Sequence, residues 1–169
     1  MRTALIILVA CVGIVYLIGS VVGIEPKDRR PGTRLAGELT AIPQDWSVTE
    51  AVDEVHLETH PWYGIPFSVT TVIARSGNAL YVPSLYDEVA EFPGTKFWNR
   101  VVLADPNVRL RMAGKLYELR IDNAATEAEF IEGVNALAEK YGFWRQQLAE
   151  LAPAGERKFT ILRLRPRDT

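Results

Sequence analysis

The stretch from Thr95 to Met112, TKFWNRVVLADPNVRLRM, decides how the rest of the chain is read. Lys96, Trp98, Asn99 and Arg100 crowd together just ahead of an apolar run, Val101 to Ala104, which ends at Asp105-Pro106. Phe97, Val101, Leu103 and Ala104 fall roughly on one helical face, and proline cannot continue a helix, so a short helix is expected before Pro106. Beyond it Val108, Leu110 and Met112 alternate with Arg109 and Arg111, the period of a half-buried strand. The stretch is therefore a helix-to-strand corner. Its cluster is either a packed corner with solvated charges or the rim of a ligand site.

Working outward, Ala113-Gly114 turns the chain and Leu116 to Ile121 returns, which makes a hairpin. Upstream, FSVTTVIARSGNALYVPS predicts another: Phe67 to Ala74 is rich in β-branched residues, Ser76-Gly77-Asn78 is turn chemistry, and Ala79 to Val82 resumes until Pro83 closes it. Val55 and Leu57 alternate with His56 and Glu58 in a further strand that Pro61 ends. Downstream, Thr126 and Glu129 have capping-box spacing. Phe130, Val134, Leu137 and Tyr141 then repeat at helical intervals, and Gly142 is the expected C-cap. FWRQQLAEL suggests a second helix, and FTILRLRP a terminal strand. The class is mainly β (β+α), an antiparallel barrel of about six strands with helices packed outside.

The chain has 169 residues, with 19 basic and 21 acidic side chains and a net charge of −2. Nothing in that balance resembles a nucleic-acid footprint, which would need a concentrated basic face. Cys11 is the sole cysteine, so no intrachain disulfide forms. From Ala4 to Ile24 there is no charged residue. About 20 helical residues span roughly 30 Å, the thickness of a bilayer core. A cleaved signal peptide has a shorter apolar region and a small-residue cleavage site, which this segment lacks. Leu8-Val9-Ala10-Cys11 looks like a lipobox, but an equally apolar VGIVYLIGSVVG follows it. The expected organisation is a transmembrane anchor over residues 1–24, a juxtamembrane linker over 25–34 and one domain over 35–169. Lys27, Arg29, Arg30 and Arg34 outnumber Arg2 across the span, so the positive-inside rule puts that domain in the cytoplasm.

NALYVPS, a loop, and then KFWNRVVLADPNVRLRMAGKLYEL resembles the split β-barrel superfamily that binds flavin mononucleotide (FMN) and deazaflavins. That superfamily includes the pyridoxamine-phosphate oxidases and, nearest in pattern, the deazaflavin-dependent nitroreductases. Trp98, Asn99, Ala104, Asp105, Pro106, Val108 and Leu110 carry the likeness, and ILRLRP is similar to the family's last strand. The resemblance implies a split antiparallel β-barrel with a short and a long flanking helix. It also implies an FMN or deazaflavin cofactor, a homodimer with the cofactor between subunits, and two-electron transfer to a small organic substrate. Its site would comprise Thr70 and Thr71 on a strand, Ser84 at a strand end, Lys96 as the loop cation, and Trp98, Asn99 and Arg100 on the short helix. A helix N-terminus with a lysine and hydroxyls suits an anion.

Two departures stand beside this. Flavin-binding members carry a strand arginine about where Thr70 or Thr71 stands, and Arg75 comes too late to replace it. Asp87, Glu88 and Glu91 also bring carboxylates toward the expected phosphate. The alternative is a cofactor-free barrel tethered to the bilayer as a binding or assembly module. Tyr81 and Tyr86 are candidate proton donors or packing residues. His56, Glu58 and His60 share a strand face, read as solvated rather than as a metal site. Arg163, Arg165 and Arg167 read as a solvated sheet edge.

Overall fold

The computed structural model describes residues 2–85, 92–123 and 126–167. Helix α1, Arg2–Leu17, opens the chain and runs on through a π-helical turn at Ile18–Val22. The combined helix has 21 residues, is long and apolar enough to cross a membrane, and lies almost wholly exposed.

Among the described residues eight strands follow: β1 (Glu38–Leu39), β2 (Val55–Thr59), β3 (Phe67–Thr71), β4 (Ala74–Ser76), β5 (Ala79–Leu85), β6 (Asn107–Met112), β7 (Lys115–Asn123) and β8 (Phe159–Pro166). Helix α2 (Phe97–Ala104) lies between β5 and β6, while α3 (Glu127–Lys140) and α4 (Gly142–Ala149) lie between β7 and β8. The spatial order is β3-β2-β6-β7-β8-β5-β4, antiparallel throughout, with β1 added parallel to β7. β3 and β4 stand at opposite ends of that order, yet only Val72 and Ile73 separate them in the chain. The sheet therefore curls until its ends meet in an unpaired seam, which is a split barrel.

This corrects the expected hairpin. The run from Phe67 to Ala74 is not one strand: β3 pairs with β2, while β4 pairs with β5 around Gly77-Asn78. β-Branched residues continue through the break, so nothing in the pattern marks it. Nor does Pro83 close its strand. β5 continues to Leu85 beside β8, and the β4 ladder ends at Tyr81, so the missing N–H faces no partner strand.

Alternation fills the interior. Val55 and Leu57, Val108, Leu110 and Met112, and Leu162 and Leu164 point inward with Leu80, Val82, Leu119 and Ile121. Each such side chain stabilises the fold by about 1.5–3 kcal/mol through burial. β5 and β8 are covered on both faces, because Tyr81 and Ile161 point outward beneath α3 and α4. Tyr81 is thus a packing residue of the outer layer, and Tyr86 lies outside the described residues.

Thr126 caps the helix as expected, its hydroxyl accepting from the Glu129 N–H at 3.2 Å. The helix then ends differently: Tyr141 is the cap and Gly142 begins α4. At that end Lys140 Nζ donates to the carbonyls of Thr49 and Val52 and, at 3.0 Å, to that of Ile73 in the seam. Burial holds its pKa down. α3 lies close to the sheet because position 133 is glycine. A Cβ there would strike Ile161 Cγ2 and come within 2.8 Å of Tyr81 Cδ1. Gly133→Ala is expected to destabilise by about 1–3 kcal/mol through overpacking. Helix propensity alone would favour alanine, so a melting temperature that rises would contradict this packing.

α2 also buries a different face from the one expected. Trp98, Asn99, Val101 and Val102 are buried, whereas Phe97 and Leu103 are substantially exposed. β8 is an interior strand, so its arginines guard no edge: Arg163 pairs with Glu129, Arg165 with Asp122 and Arg167 with Glu118.

Candidate functional site

The polar segment after α1 folds back onto the barrel. Lys27 and Arg30 exchange backbone hydrogen bonds of 3.1 and 2.9 Å around a tight turn with Asp28 at φ 53°. Gly32 and Ser68 exchange two more, of 2.8 and 3.0 Å, which adds the segment to the free edge of β3. A Cβ on Gly32 would collide with the backbone of Ile24 and Pro26, so the close approach requires glycine. Glu25 pairs with Arg111, which also meets His56.

The Leu35 N–H donates to Glu58 at 2.6 Å. Glu58 points outward from β2, yet the overlying segment leaves it 0 % exposed. Its carboxylate also meets His60 Nε2 at 3.2 Å and Arg109 at 3.5 Å. Burial alone would raise its pKa, but the hydrogen bonds from His60 and Leu35 and the Arg109 charge outweigh it and hold the carboxyl low. His60 Nδ1 faces the Asn107 carbonyl at 3.1 Å. With an acceptor at each ring nitrogen, the imidazolium is the form that satisfies both. The bond to Glu58 accordingly raises the His60 pKa. The expected solvated face is therefore a buried ion network beneath the docked segment. No group of metal-binding residues occurs among the described residues.

Docking carries Arg29 and Arg30 to the barrel's split. A cavity of about 490 Å³ opens there, lined by Asp28, Arg29 and Arg30, by Phe67, Val69 and Thr70 of β3, by Leu85, and by Lys96, Phe97 and Trp98. A second, of about 450 Å³, shares Asp28, Arg29, Thr70, Leu85 and Lys96 and extends to Glu54, Thr71, Phe143 and Trp144. Together they form one groove. Among the described residues its first chamber sets three cations against one carboxylate, with aromatic walls. The second, among the described residues, sets Arg29 and Lys96 against Asp28 and Glu54.

The expected site residues divide among these features. Thr70, Lys96 and Trp98 line the first chamber, and Thr71 joins in the second. Thr70 Oγ1 is buried without a hydrogen-bond partner among the described residues. Arg100 is exposed on α2 and lines neither chamber. Ser84 and Asn99 are buried and bonded to each other at 2.9 Å, and Asn99 Nδ2 donates to the Pro93 carbonyl at 2.8 Å. They fix α2 to the end of β5 and do not line the groove. Ser84→Ala is expected to cost about 1–3 kcal/mol by leaving Asn99 Oδ1 unmet. Thermal unfolding beside a ligand titration checks this: stability should fall while affinity of the folded protein holds.

Sequence reasoning missed Arg29 and Arg30 because a charged stretch with two prolines reads as a tether. Gly32 was the one local sign of a backbone approach. Asp87, Glu88 and Glu91 lie outside the described residues.

No family model and no curated protein matches the sequence. Solved structures do share its fold. The heme storage protein HutZ of Vibrio cholerae superposes with a TM-score of 0.53 at 14 % identity, over 72 % of this chain and 87 % of that one. A putative 5-nitroimidazole antibiotic resistance protein of Bacteroides thetaiotaomicron gives 0.51 at 10 %, over 86 % and 92 %. Campylobacter jejuni ChuZ gives 0.50 at 12 %, over 71 % and 50 %. The fold is a split antiparallel β-barrel, as the corner motif implied. At these identities the likeness concerns architecture alone.

Proposed function

We propose that the groove binds the anionic tail of a flavin or deazaflavin, and that the protein is a membrane-anchored reductase acting on a small organic substrate. One observation carries the reading: Arg29, Arg30 and Lys96 meet beside Thr70 and the aromatic rings of Phe67, Phe97 and Trp98 in a single chamber. The cation missing from β3 has a replacement, since the docked segment brings two arginines to the place where Thr70 stands. Guanidinium groups give charge-assisted, bidentate contacts to phosphate, and Lys96 adds a point charge at the start of α2. The aromatic walls suit a flat ring. A bound flavin would supply the hydride chemistry, and the chain would orient it and exclude water from the aromatic side.

In this reading α1 crosses the bilayer, and the basic residues after it keep the barrel on the cytoplasmic side. Two copies enclose the cofactors between them, as in other split barrels. The cofactor-free module is the competing account. Thermal unfolding of the detergent-purified full chain, with and without FMN or a deazaflavin, separates the two. Stabilisation that grows with ligand concentration supports the enzyme. Colourless protein with no shift from either ligand supports the module.

A further inference from the structure

We propose that the β2–β3 loop, Trp62 to Ile65, is a second membrane contact that seats the barrel on the bilayer crossed by α1. The inference rests on α1 spanning that bilayer, and its own evidence is the height at which the loop meets the helix.

Gly64 lies against Tyr16: a Cβ there would stand 2.7 Å from the tyrosine hydroxyl. Ile65 packs on Gly19, 3.2 Å from where a Cβ would project. The helical span ends at Val22, so Tyr16 lies about 9 Å and Gly19 about 4.5 Å back along its axis. A 21-residue helix about matches a hydrocarbon core of roughly 30 Å, which places Val22 near its boundary. A loop that touches Tyr16 and Gly19 therefore reaches at least the interfacial layer.

The exposed side chains fit that position. Trp62 is 96 % exposed, whereas Trp46, Trp98 and Trp144 are 3, 6 and 3 % exposed. Tyr63 meets Trp62 at 5.8 Å and Phe97 at 6.4 Å between ring centroids, so the aromatic surface is continuous. Rings with one apolar and one polar end collect where hydrocarbon gives way to headgroups. On the docked segment Arg34 reaches back to the Ser20 carbonyl at 3.3 Å, which holds a cation near the end of the span. Basic groups at that height favour anionic lipid.

The arrangement supplies its own reporters. Trp62 is the exposed indole, and Cys11, the sole thiol, is exposed on α1. The full chain, carrying an environment-sensitive probe on Cys11, is reconstituted into vesicles of phosphatidylcholine and phosphatidylglycerol with or without acyl-brominated lipid. The expected result is quenching of both the Cys11 probe and part of the tryptophan emission. Trp62→Ser should abolish the tryptophan part and leave the Cys11 quenching intact. A quenched Cys11 probe with a Trp62 that only aqueous iodide reaches overturns the loop contact and leaves the span standing. If neither is quenched, both fall.

Discussion

Glu58→Ala should unfold at a temperature roughly 10 °C below the parent. The residue is fully buried on the outer face of β2 and satisfies three groups at once: the Leu35 N–H, His60 and Arg109. Removing one member of a buried ionic set strands the others and typically costs about 3–5 kcal/mol. The lower end applies here, because His60 and Arg109 keep some contact with water. A chain of this size loses about 2–4 °C per kcal/mol. Glu58→Gln keeps the shape and an acceptor for Leu35, so its loss should be smaller.

The pH profile gives an independent check on the same network. Glu58 has a lowered pKa, so its contribution is present above the unfolded value and lost as pH falls through the folded one. His60 has a raised pKa, so its contribution is full below the unfolded value of about 6.5 and lost as pH rises through the folded one. Stability from the pair is therefore greatest in mildly acidic solution and declines above neutrality. In Glu58→Ala that alkaline decline should flatten. A parent whose melting temperature is level from pH 6 to 9, a window bracketing the ordinary histidine value of about 6.5, would contradict the pairing.

Neutralising Arg29, Arg30 and Lys96 together should reduce FMN affinity at least about a hundredfold. Hydrogen bonds to charged groups are worth about 1.5–3 kcal/mol each, and each 1.4 kcal/mol is tenfold in affinity. The sum is not additive, so a hundredfold is a floor. Arg29 and Arg30 are exposed on a turn, so their replacement should spare the fold. The parent's affinity should fall with added salt, and the variant's should respond less. Equal affinities would remove these three cations from any role in binding.

The inner core was legible because period-two alternation in Val108–Met112 and its neighbours states which side chains point inward. The hairpin of β6 and β7 was equally open to reading, since Ala113 and Gly114 take the positive φ values of 50° and 78° that such a turn needs. The break at Val72 was hidden, because it depends on β3 and β4 finding partners at opposite ends of the sheet. The site was half legible. Lys96 and Trp98 of the corner and Thr70, which the family resemblance placed on an upstream strand, do line the groove, but Ser84 and Asn99 satisfy each other, which no local pattern distinguishes from waiting for a ligand. The arginines of the docked segment enter through long-range pairing of Gly32 with Ser68. Glu58 is buried for the same reason, so one docking event determines both the ion network and the cationic wall.

The most direct measurement is a paired titration of the purified full chain with FMN and with riboflavin, followed by flavin fluorescence. The two share the ring and differ by the phosphate. The expected result is that FMN binds more tightly by at least about tenfold, one charge-assisted contact's worth, and that salt erodes the difference. Equal binding of the two, or binding of neither, would contradict an anion-holding groove.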